Sequence, residues 1–257
     1  MTDLVVVSRA ARVLRIQMNR PEKKNALTGA MYTALAEAIE TADADSTVRV
    51  ITITGVGDVF TSGNDLKDFL ESQERGPNTP VMRFLSAIAT ARKPLIAGVN
   101  GLAVGIGVTL LLHCDLVYAA EGAIFQLPFV NLGVVPEAAS SLLLPRSVGH
   151  HRAAELLFLG NRFDVHAALQ LGLVNTIHPP DRLDQVVTEK AGALADKPPQ
   201  ALRLTKELLK GEKYRSEVAA QMEEERVRFE RQLSSPEARE AMSAFLEKRA
   251  PDFSRFS

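Results

Sequence analysis

The sequence is short of residues that several common kinds of site require. Its 257 residues include one cysteine, no tryptophan and five histidines. A single cysteine cannot form an internal disulfide, and without a cysteine pair there is no framework for a structural zinc site. The 30 basic and 31 acidic residues sum to a net charge of −1, without the basic excess typical of nucleic-acid-binding proteins. We therefore expect no nucleic-acid partner.

Long apolar runs and targeting signals are also missing. The longest apolar stretch, around residues 102–112, is interrupted by glycines and is shorter than the ~20 residues of a membrane span. The N-terminus has no basic segment followed by an apolar run, and residues 255–257 do not form a Ser-Lys-Leu peroxisomal signal. These absences predict a cytoplasmic protein that does not span a membrane.

Several catalytic motifs are absent as well. Gly105 and Gly107 lack the third glycine of a dinucleotide-binding fingerprint, and the sequence has neither a Walker-type loop nor a G-x-S-x-G elbow. The histidines do not have metal-ligand spacing, and Cys114 ends an apolar run typical of a buried core position. We therefore expect no metal and no separately bound cofactor.

Hydrophobic periodicity predicts alternating strands and helices in the first half of the chain. The predicted strands are residues 4–7, 13–18, 48–54, 95–99 and 116–119, and the predicted helices are 28–42, 80–91 and a buried one at 105–113. This alternation is typical of an α/β fold with a partly parallel sheet. The second half is mainly helical, apart from a short strand at 174–177. Two prolines near residue 198 suggest a boundary between a core at 1–196 and a helical region at 197–257.

Three segments with glycine among apolar residues are candidates for a ligand site: 60–66, 99–107 and 132–141. Glycines after strands let backbone amides approach a ligand, and amides at a helix N-terminus carry the positive end of the helix dipole. Two such turns side by side would form an oxyanion hole from main-chain donors alone. From the pattern alone, ordinary turns are an equally good interpretation.

These segments resemble those of the crotonase, or enoyl-CoA hydratase/isomerase, family. The resemblance begins at the Asn-Arg-Pro-Glu-Lys-Lys-Asn-Ala-Leu-Thr stretch of residues 19–28, includes the three segments and ends near residue 199. It implies a spiral of ββα units with a C-terminal helical region used in trimerisation. It also implies a homotrimer, or a hexamer built as a dimer of trimers, and an acyl-CoA substrate that brings in coenzyme A.

The resemblance also assigns roles to individual residues. Asn64 and Ile106 correspond to the two positions whose backbone N–H groups hold the thioester oxygen. Hydratases of the family use two glutamates, and the corresponding residues here are Thr109 and Phe129. Glu137 corresponds instead to the catalytic base of Δ3,Δ2-enoyl-CoA isomerases of the peroxisomal type. The other substrate-binding positions implied are Lys24, Asn25, Ala26, Leu27, Ser62, Gly63, Asp65, Leu66, Gly105, Phe129 and Pro136, with Lys23 a second candidate for the phosphates.

The implied reaction moves the double bond of a 3-enoyl-CoA to the 2-trans position. Glu137 would take a proton from C2 and return it to C4, while the two amides stabilise the dienolate. Apolar neighbours are expected to raise the pKa of Glu137 by burial. Without the resemblance, an acid following Pro136 would be interpreted as a helix N-terminal residue. Two alternatives stay open: an enoyl-CoA hydratase that uses Glu137 differently, and a non-catalytic acyl-CoA-binding protein.

Overall fold

The computed structural model describes residues 4–71 and 75–256, and its strands follow the predicted alternation. The strands are β1 (Val5–Ala10), β2 (Val13–Met18), β3 (Val50–Gly55), β4 (Leu95–Val99), β5 (Leu102–Val104), β6 (Leu116–Ala120), β7 (Ile124–Gln126), β8 (Arg162–Asp164) and β9 (Thr176–His178). The main sheet has the order β1-β2-β3-β4-β6-β9, and a smaller sheet has the order β5-β7-β8. From β2 onward the main sheet is parallel. The predicted α/β class is confirmed.

The α-helices lie between these strands and dominate the second half. They are α1 (Gly29–Ala44), α2 (Leu66–Glu71), α3 (Pro80–Thr90), α4 (Ile106–Thr109), α5 (Ser140–Val148), α6 (His150–Leu159), α7 (Val165–Gln170), α8 (Leu183–Ala195), α9 (Pro199–Leu209), α10 (Glu212–Leu233) and α11 (Pro236–Leu246). α1 begins after Thr28 as predicted, and the Thr28 Oγ1 accepts a hydrogen bond from the Met31 N–H at 3.3 Å.

Two predicted elements differ from the structure. The buried helix predicted at 105–113 is α4 followed by one 3-10 turn at Leu110–His113. Its hydrogen bonding therefore changes from the α-helical to the 3-10 pattern after Thr109. The strand predicted at 174–177 is β9, which starts at Thr176. The strands β5, β7 and β8 have three residues each, which is too short for a period-two pattern to reveal them.

The chain repeats one course: a strand of the main sheet, then a segment that leaves the sheet beside the corresponding segment of the neighbouring repeat. Each repeat is called a pass, and the repetition brings the parts of the candidate site together. After β2, β3, β4 and β6 the chain leaves the main sheet and pairs in parallel with the neighbouring pass. The pairs joining consecutive passes are Leu27 with Asn64, Thr61 with Ala103, and Leu102 with Ile124. Segments that are distant in sequence therefore become neighbours at the same edge.

The helical region at the C-terminus is in contact with this core. α10 packs against α3 and α5, and the buried Lys206 of α9 donates to Asp115 Oδ2 at 2.7 Å. The boundary at residue 196 stays a prediction. Among the described residues, no helix combines the length and apolar character needed to cross a bilayer.

Candidate active site

Two backbone turns lie side by side where the second and third passes meet. Gly63 has φ +90°, and a Cβ built on it would lie 2.9 Å from the carbonyl oxygen of Val104. Gly107 is packed as tightly, since a Cβ there would lie 2.7 Å from Cγ2 of Thr61. The Thr61 N–H donates to Leu102 O at 3.0 Å and the Val104 N–H donates to Thr61 O at 3.1 Å. The structure thus brings segments 60–66 and 99–107 together, as predicted.

Each turn presents one backbone amide without a protein acceptor. The Leu27 N–H donates to Gly63 O at 2.8 Å and the Asp65 N–H donates to Leu27 O at 2.9 Å, so the Asn64 N–H between them faces away from Leu27. Ile106 is the first residue of α4, where a helix has no internal acceptor for its N–H. Within the part of the chain that the structure describes, neither amide donates to the protein. A free pair of amides in adjacent turns is what an oxyanion hole requires.

A buried tyrosine fixes the first of these turns. The Tyr32 hydroxyl, on α1, donates a hydrogen bond to Oδ1 of Asn64. Burial and the nearby charge of Glu137 raise the pKa of Tyr32 well above its ordinary value, so its hydroxyl remains a donor. The sequence does not mark Tyr32 as a site residue, because its place in the helix pattern is that of a core residue.

Glu137 is joined to the helix that carries the second amide. Thr109, one turn after Ile106, donates from Oγ1 to Oε1 of Glu137 at 3.2 Å. Burial raises the pKa of Glu137 to about 7; the Thr109 hydrogen bond opposes this rise and the charge of Glu225 adds to it. The expected effect of burial is therefore confirmed. Thr109, at a position where a hydratase has a glutamate, here serves as a hydrogen-bond partner of Glu137.

The turn after Glu137 has an unusual backbone that distant residues hold in place. Ala138 and Ala139 have φ of 60° and 56°, the left-handed region that favours glycine. The buried His113 donates from Nε2 to Ala138 O at 2.8 Å, and burial lowers its pKa to about 4, which keeps the ring neutral. On the other side, Glu225 of α10 accepts from the Ala139 N–H at 2.6 Å.

A cavity of about 100 Å³ opens in front of Glu137. Of the predicted site residues, Leu27, Asn64 and Glu137 line it. The remaining walls come largely from α3 and α10, which contribute Val81, Met82, Leu85, Met222, Phe229 and Leu233. The 66–80 segment contributes Asp68, Arg75, Thr79 and Pro80, while its residues 72–74 lie outside the described residues. This apolar enclosure suits an acyl chain.

Two of the predicted substrate-binding residues use their side chains to shape the loops. Asn25 is fully buried, and its Nδ2 donates to Val56 O at 3.0 Å and to Val59 O at 2.6 Å. Asp65 forms an ion pair with Arg20 at 2.6 Å, and its Oδ1 accepts from the first amides of α2. Their side chains are therefore engaged within the protein, as are their N–H groups, which donate to Arg20 O and Leu27 O.

The other predicted positions surround these turns. Lys23 and Lys24 are exposed in the segment between β2 and α1, and the backbone of Lys24 has φ 53°. Phe129 is buried, and its carbonyl accepts from the Val134 N–H at 3.0 Å, which folds the loop that leads to Glu137. Ser62, Leu66, Gly105 and Pro136 lie within two residues of Asn64, Ile106 or Glu137 along the chain, and Ala26 precedes Leu27, which pairs with Asn64. Within residues 4–71 and 75–256, no group of three or more His, Cys, Asp or Glu side chains is arranged to hold a metal ion.

Comparison with known proteins matches residues 8–255 to the model of a family described as enoyl-CoA hydratase/isomerase. The chain is 36% identical over 252 residues to the 2,3-dehydroadipyl-CoA hydratase of Escherichia coli (strain K12), covering 97% of this chain and 98% of that protein. It is 38% identical over 212 residues to enoyl-CoA delta isomerase 2 of Rattus norvegicus, covering 80% of this chain and 54% of that protein, so it spans about half of its length. A crystal structure of an enoyl-CoA hydratase/isomerase from Pseudoalteromonas atlantica has a TM-score of 0.93 and 44% identity, covering 97% of this chain and 99% of that one.

Proposed function

The chain belongs to the enoyl-CoA hydratase/isomerase family, and from this premise we propose that it moves the double bond of a 3-enoyl-CoA thioester to the 2-trans position. The observation that carries the proposal is a single available carboxyl, Glu137, beside two free backbone amides. The positions of the two hydratase glutamates hold Thr109 and Phe129, which can neither donate nor accept the protons of hydration.

The proposed reaction needs one base and one oxyanion hole. Glu137 takes a proton from C2, which lies between the thioester carbonyl and the double bond. The electrons of the broken C–H bond spread over a dienolate, and the Asn64 and Ile106 N–H groups stabilise the charge on the thioester oxygen. Glu137 then returns its proton to C4, the carbonyl reforms and the double bond lies between C2 and C3. No water is added or lost, so one carboxyl can carry out both proton transfers.

The pKa of Glu137 predicts the pH dependence of this reaction. Glu137 must be ionised to accept the C2 proton, and burial raises its pKa to about 7. The fraction of active base therefore rises as the pH increases through about 7 and falls below it. A base with a pKa near the working pH also releases its proton readily to C4.

Hydration is the main competing function, because a curated hydratase is 36% identical over nearly its whole length. Three further carboxyls line the cavity, Asp68, Glu225 and Glu230, and of these Glu225 is the one that a hydratase could use as its second acid. Both of its oxygens, however, accept hydrogen bonds from the turn at residues 139–141. Glu225 is therefore less available to water or substrate than Glu137, which favours isomerisation over hydration.

The test is a double-bond shift assay on 3-cis and 3-trans enoyl-CoAs of several chain lengths, run beside hydration of crotonyl-CoA. We expect isomerisation by the native chain and a loss of about 10²–10⁴-fold in kcat for Glu137→Gln, with acyl-CoA binding retained. Glu212→Gln is the matched control, because Glu212 lies on α10 with 95% of its side chain exposed. Hydration in excess of isomerisation would favour the hydratase, and no turnover at any chain length would favour an acyl-CoA-binding protein.

The proposal extends to assembly and location. We propose a cytoplasmic homotrimer, or a hexamer built as a dimer of trimers, in which coenzyme A enters as part of the substrate and no separate cofactor is bound. Three leucines of α9, Leu204, Leu208 and Leu209, are 45%, 88% and 75% exposed, and such an apolar face favours burial against another copy. Light scattering of the purified chain would distinguish a monomer from these assemblies.

A further inference from the structure

We infer that Glu225 is a positioning residue for the base: it clamps the turn that presents Glu137 and places a second carboxylate on the same cavity. The inference rests on the proposed function, since it treats Glu137 as the base. Glu225 lies on α10, 88 residues after Glu137 by their numbering, and both side chains line the same cavity. No motif in the sequence links them.

The clamp consists of three hydrogen bonds to one carboxylate. Glu225 is 4% exposed; its Oε2 accepts from the Ala139 N–H at 2.6 Å and its Oε1 accepts from the Ser141 N–H at 2.9 Å and from Ser141 Oγ. Ala139 is the N-cap of α5 and Ser141 is its second residue, so the carboxylate also faces the positive end of that helix. Gln221, one turn earlier on α10, donates to Ser141 Oγ at 3.0 Å and supports the same contact.

The turn needs such a clamp because its own residues do not favour its shape. Two consecutive alanines adopt the left-handed conformation, which is unfavourable for any residue with a Cβ. His113 holds the carbonyl of Ala138 on one side, and Glu225 holds the amide of Ala139 on the other. Glu137 immediately precedes this pair, so the direction of its carboxyl depends on both contacts.

The two carboxyls also differ in which one keeps a proton. Three donors stabilise the ionised form of Glu225, whereas Thr109 alone donates to Glu137. The charge of Glu225 accordingly raises the pKa of Glu137, in addition to the effect of burial. Burial raises the pKa of Glu225 as well, but its hydrogen bonds to Ser141 and Ala139 oppose that rise, so Glu137 is the carboxyl that exchanges its proton.

The other charged groups around the cavity leave Glu225 as the main source of this effect. Arg226 is paired with Glu223 at 2.6 Å and Glu230 at 2.8 Å, a group with one net negative charge, but Glu225 is the acid whose charge raises the pKa of Glu137. Asp68 accepts from the Gly29 N–H at 2.9 Å, where the positive end of α1 offsets its charge. His113 and Tyr32 are neutral near pH 7, and Arg75 lines the cavity from the segment before α3.

The test compares Glu225→Gln with the control Glu212→Gln in the full-length protein. Difference infrared titration of the Glu137 carboxyl, without substrate, measures its midpoint, and the pH profile of kcat measures the active base. Removing the charge should lower both midpoints by about half a pH unit or more. Loosening the turn should lower kcat at pH 8 by about 5–50-fold with a small change in KM. Midpoints and kcat equal to those of the control would overturn the inference.

A second variant separates the clamp from the charge and serves if Glu225→Gln does not fold. Ser141→Ala removes the Oγ hydrogen bond but leaves the Glu225 charge, so kcat should fall about 2–10-fold while the Glu137 midpoint stays in place. An unchanged kcat in this variant would overturn the clamp. The infrared titration needs no particular reaction, so a chain that hydrates rather than isomerises would still show the Glu137 shift. The two proposals can therefore fail separately.

Discussion

The two turns of the candidate site, at Asn64 and at Glu137, are stabilised in different ways. The Asn64 turn obtains its backbone from glycine, with Gly63 at φ +90° packed against the neighbouring pass of the chain. The Glu137 turn has no glycine in its left-handed positions and uses Ala138 and Ala139 there. His113 and Glu225, far away in sequence, stabilise that second turn. One turn is therefore encoded locally, and the other depends on the folded surroundings.

The difference matches what each turn supplies. A backbone N–H does not titrate near neutral pH, so an oxyanion donor needs only correct geometry, which a glycine turn and close packing provide. A carboxylate base needs geometry and also a pKa near the working pH, which depends on burial and neighbouring charge. The contacts that hold the Glu137 turn also place the charge of Glu225 near the base. Four variants test this difference between the Asn64 and Glu137 turns.

Gly63→Ala is expected to have the largest effect. The new Cβ would lie 2.9 Å from Val104 O in a backbone with φ +90°, so the Asn64 amide must move. Loss of one oxyanion donor costs roughly 10²–10³-fold in kcat, about 3–4 kcal/mol. The matched control is Gly122→Ala, since Gly122 has φ +79° with no atom within 4 Å of the new Cβ. Equal kcat values in the two variants would show that the first turn tolerates displacement.

Glu137→Gln is expected to stabilise the fold in a pH-dependent way. The pKa of Glu137 is raised from 4.5 to about 7, so folding disfavours its ionised form. The native chain therefore loses stability as the pH rises from about 4.5 through about 7, and the amide variant does not. We expect urea unfolding to show a gain of about 1–3 kcal/mol at pH 8 and none at pH 4. A gain of equal size at both pH values would contradict this.

Thr109→Val tests the hydrogen bond between Glu137 and α4, the helix that carries the Ile106 amide. The Thr109 hydroxyl stabilises the ionised Glu137, so its loss should raise the pKa of Glu137 above about 7. We expect kcat at pH 7 to fall about 2–10-fold and to recover at higher pH, as befits a hydrogen bond of about 0.5–1.5 kcal/mol. Thr205→Val, at an exposed position of α9, is the control. A pH profile that does not move would mean that Thr109 is not coupled to the base.

Ala139→Gly is expected to have the smallest effect. Glycine relieves the left-handed strain of about 1–2 kcal/mol, but it loses a buried methyl group and adds freedom to the unfolded chain. These terms nearly cancel, so the unfolding free energy should change by less than about 1 kcal/mol. Ala36→Gly, buried within α1, should instead cost about 2 kcal/mol, because helical alanine carries no such strain. Equal losses in the two variants would argue that the Ala139 backbone is unstrained.

The sequence predicted the parts of the molecule that leave a local pattern. The enoyl-CoA hydratase/isomerase resemblance and the α/β crotonase fold with its helical C-terminal part are confirmed by the family match and by the structural similarity. Glycine marked the segments that contain Asn64 and Ile106, the resemblance singled out these two residues, and the apolar neighbours of Glu137 indicated its raised pKa. The specific isomerase activity, the trimer and the domain boundary remain predictions.

What the sequence did not reveal depends on contacts between distant elements. Tyr32, His113 and Glu225 each lie on a helix or turn whose pattern is that of ordinary core or surface. Their roles follow from the neighbours that folding gives them, namely Asn64, Ala138 and Ala139. The buried Asn25 shows the reverse case: a residue implied to meet the substrate uses its side chain to hold the loop. Residue type and spacing do not distinguish these roles.

The long separation between Glu137 and Glu225 has a consequence for how the enzyme is made. Synthesis proceeds from the N-terminus at about 5–20 residues per second, so Glu137 is made several seconds before the carboxylate that clamps its turn. Until α10 docks, His113 can hold the Glu137 turn, but the support from Glu225 is missing. The interval between the synthesis of Glu137 and that of Glu225 therefore delays completion of the site.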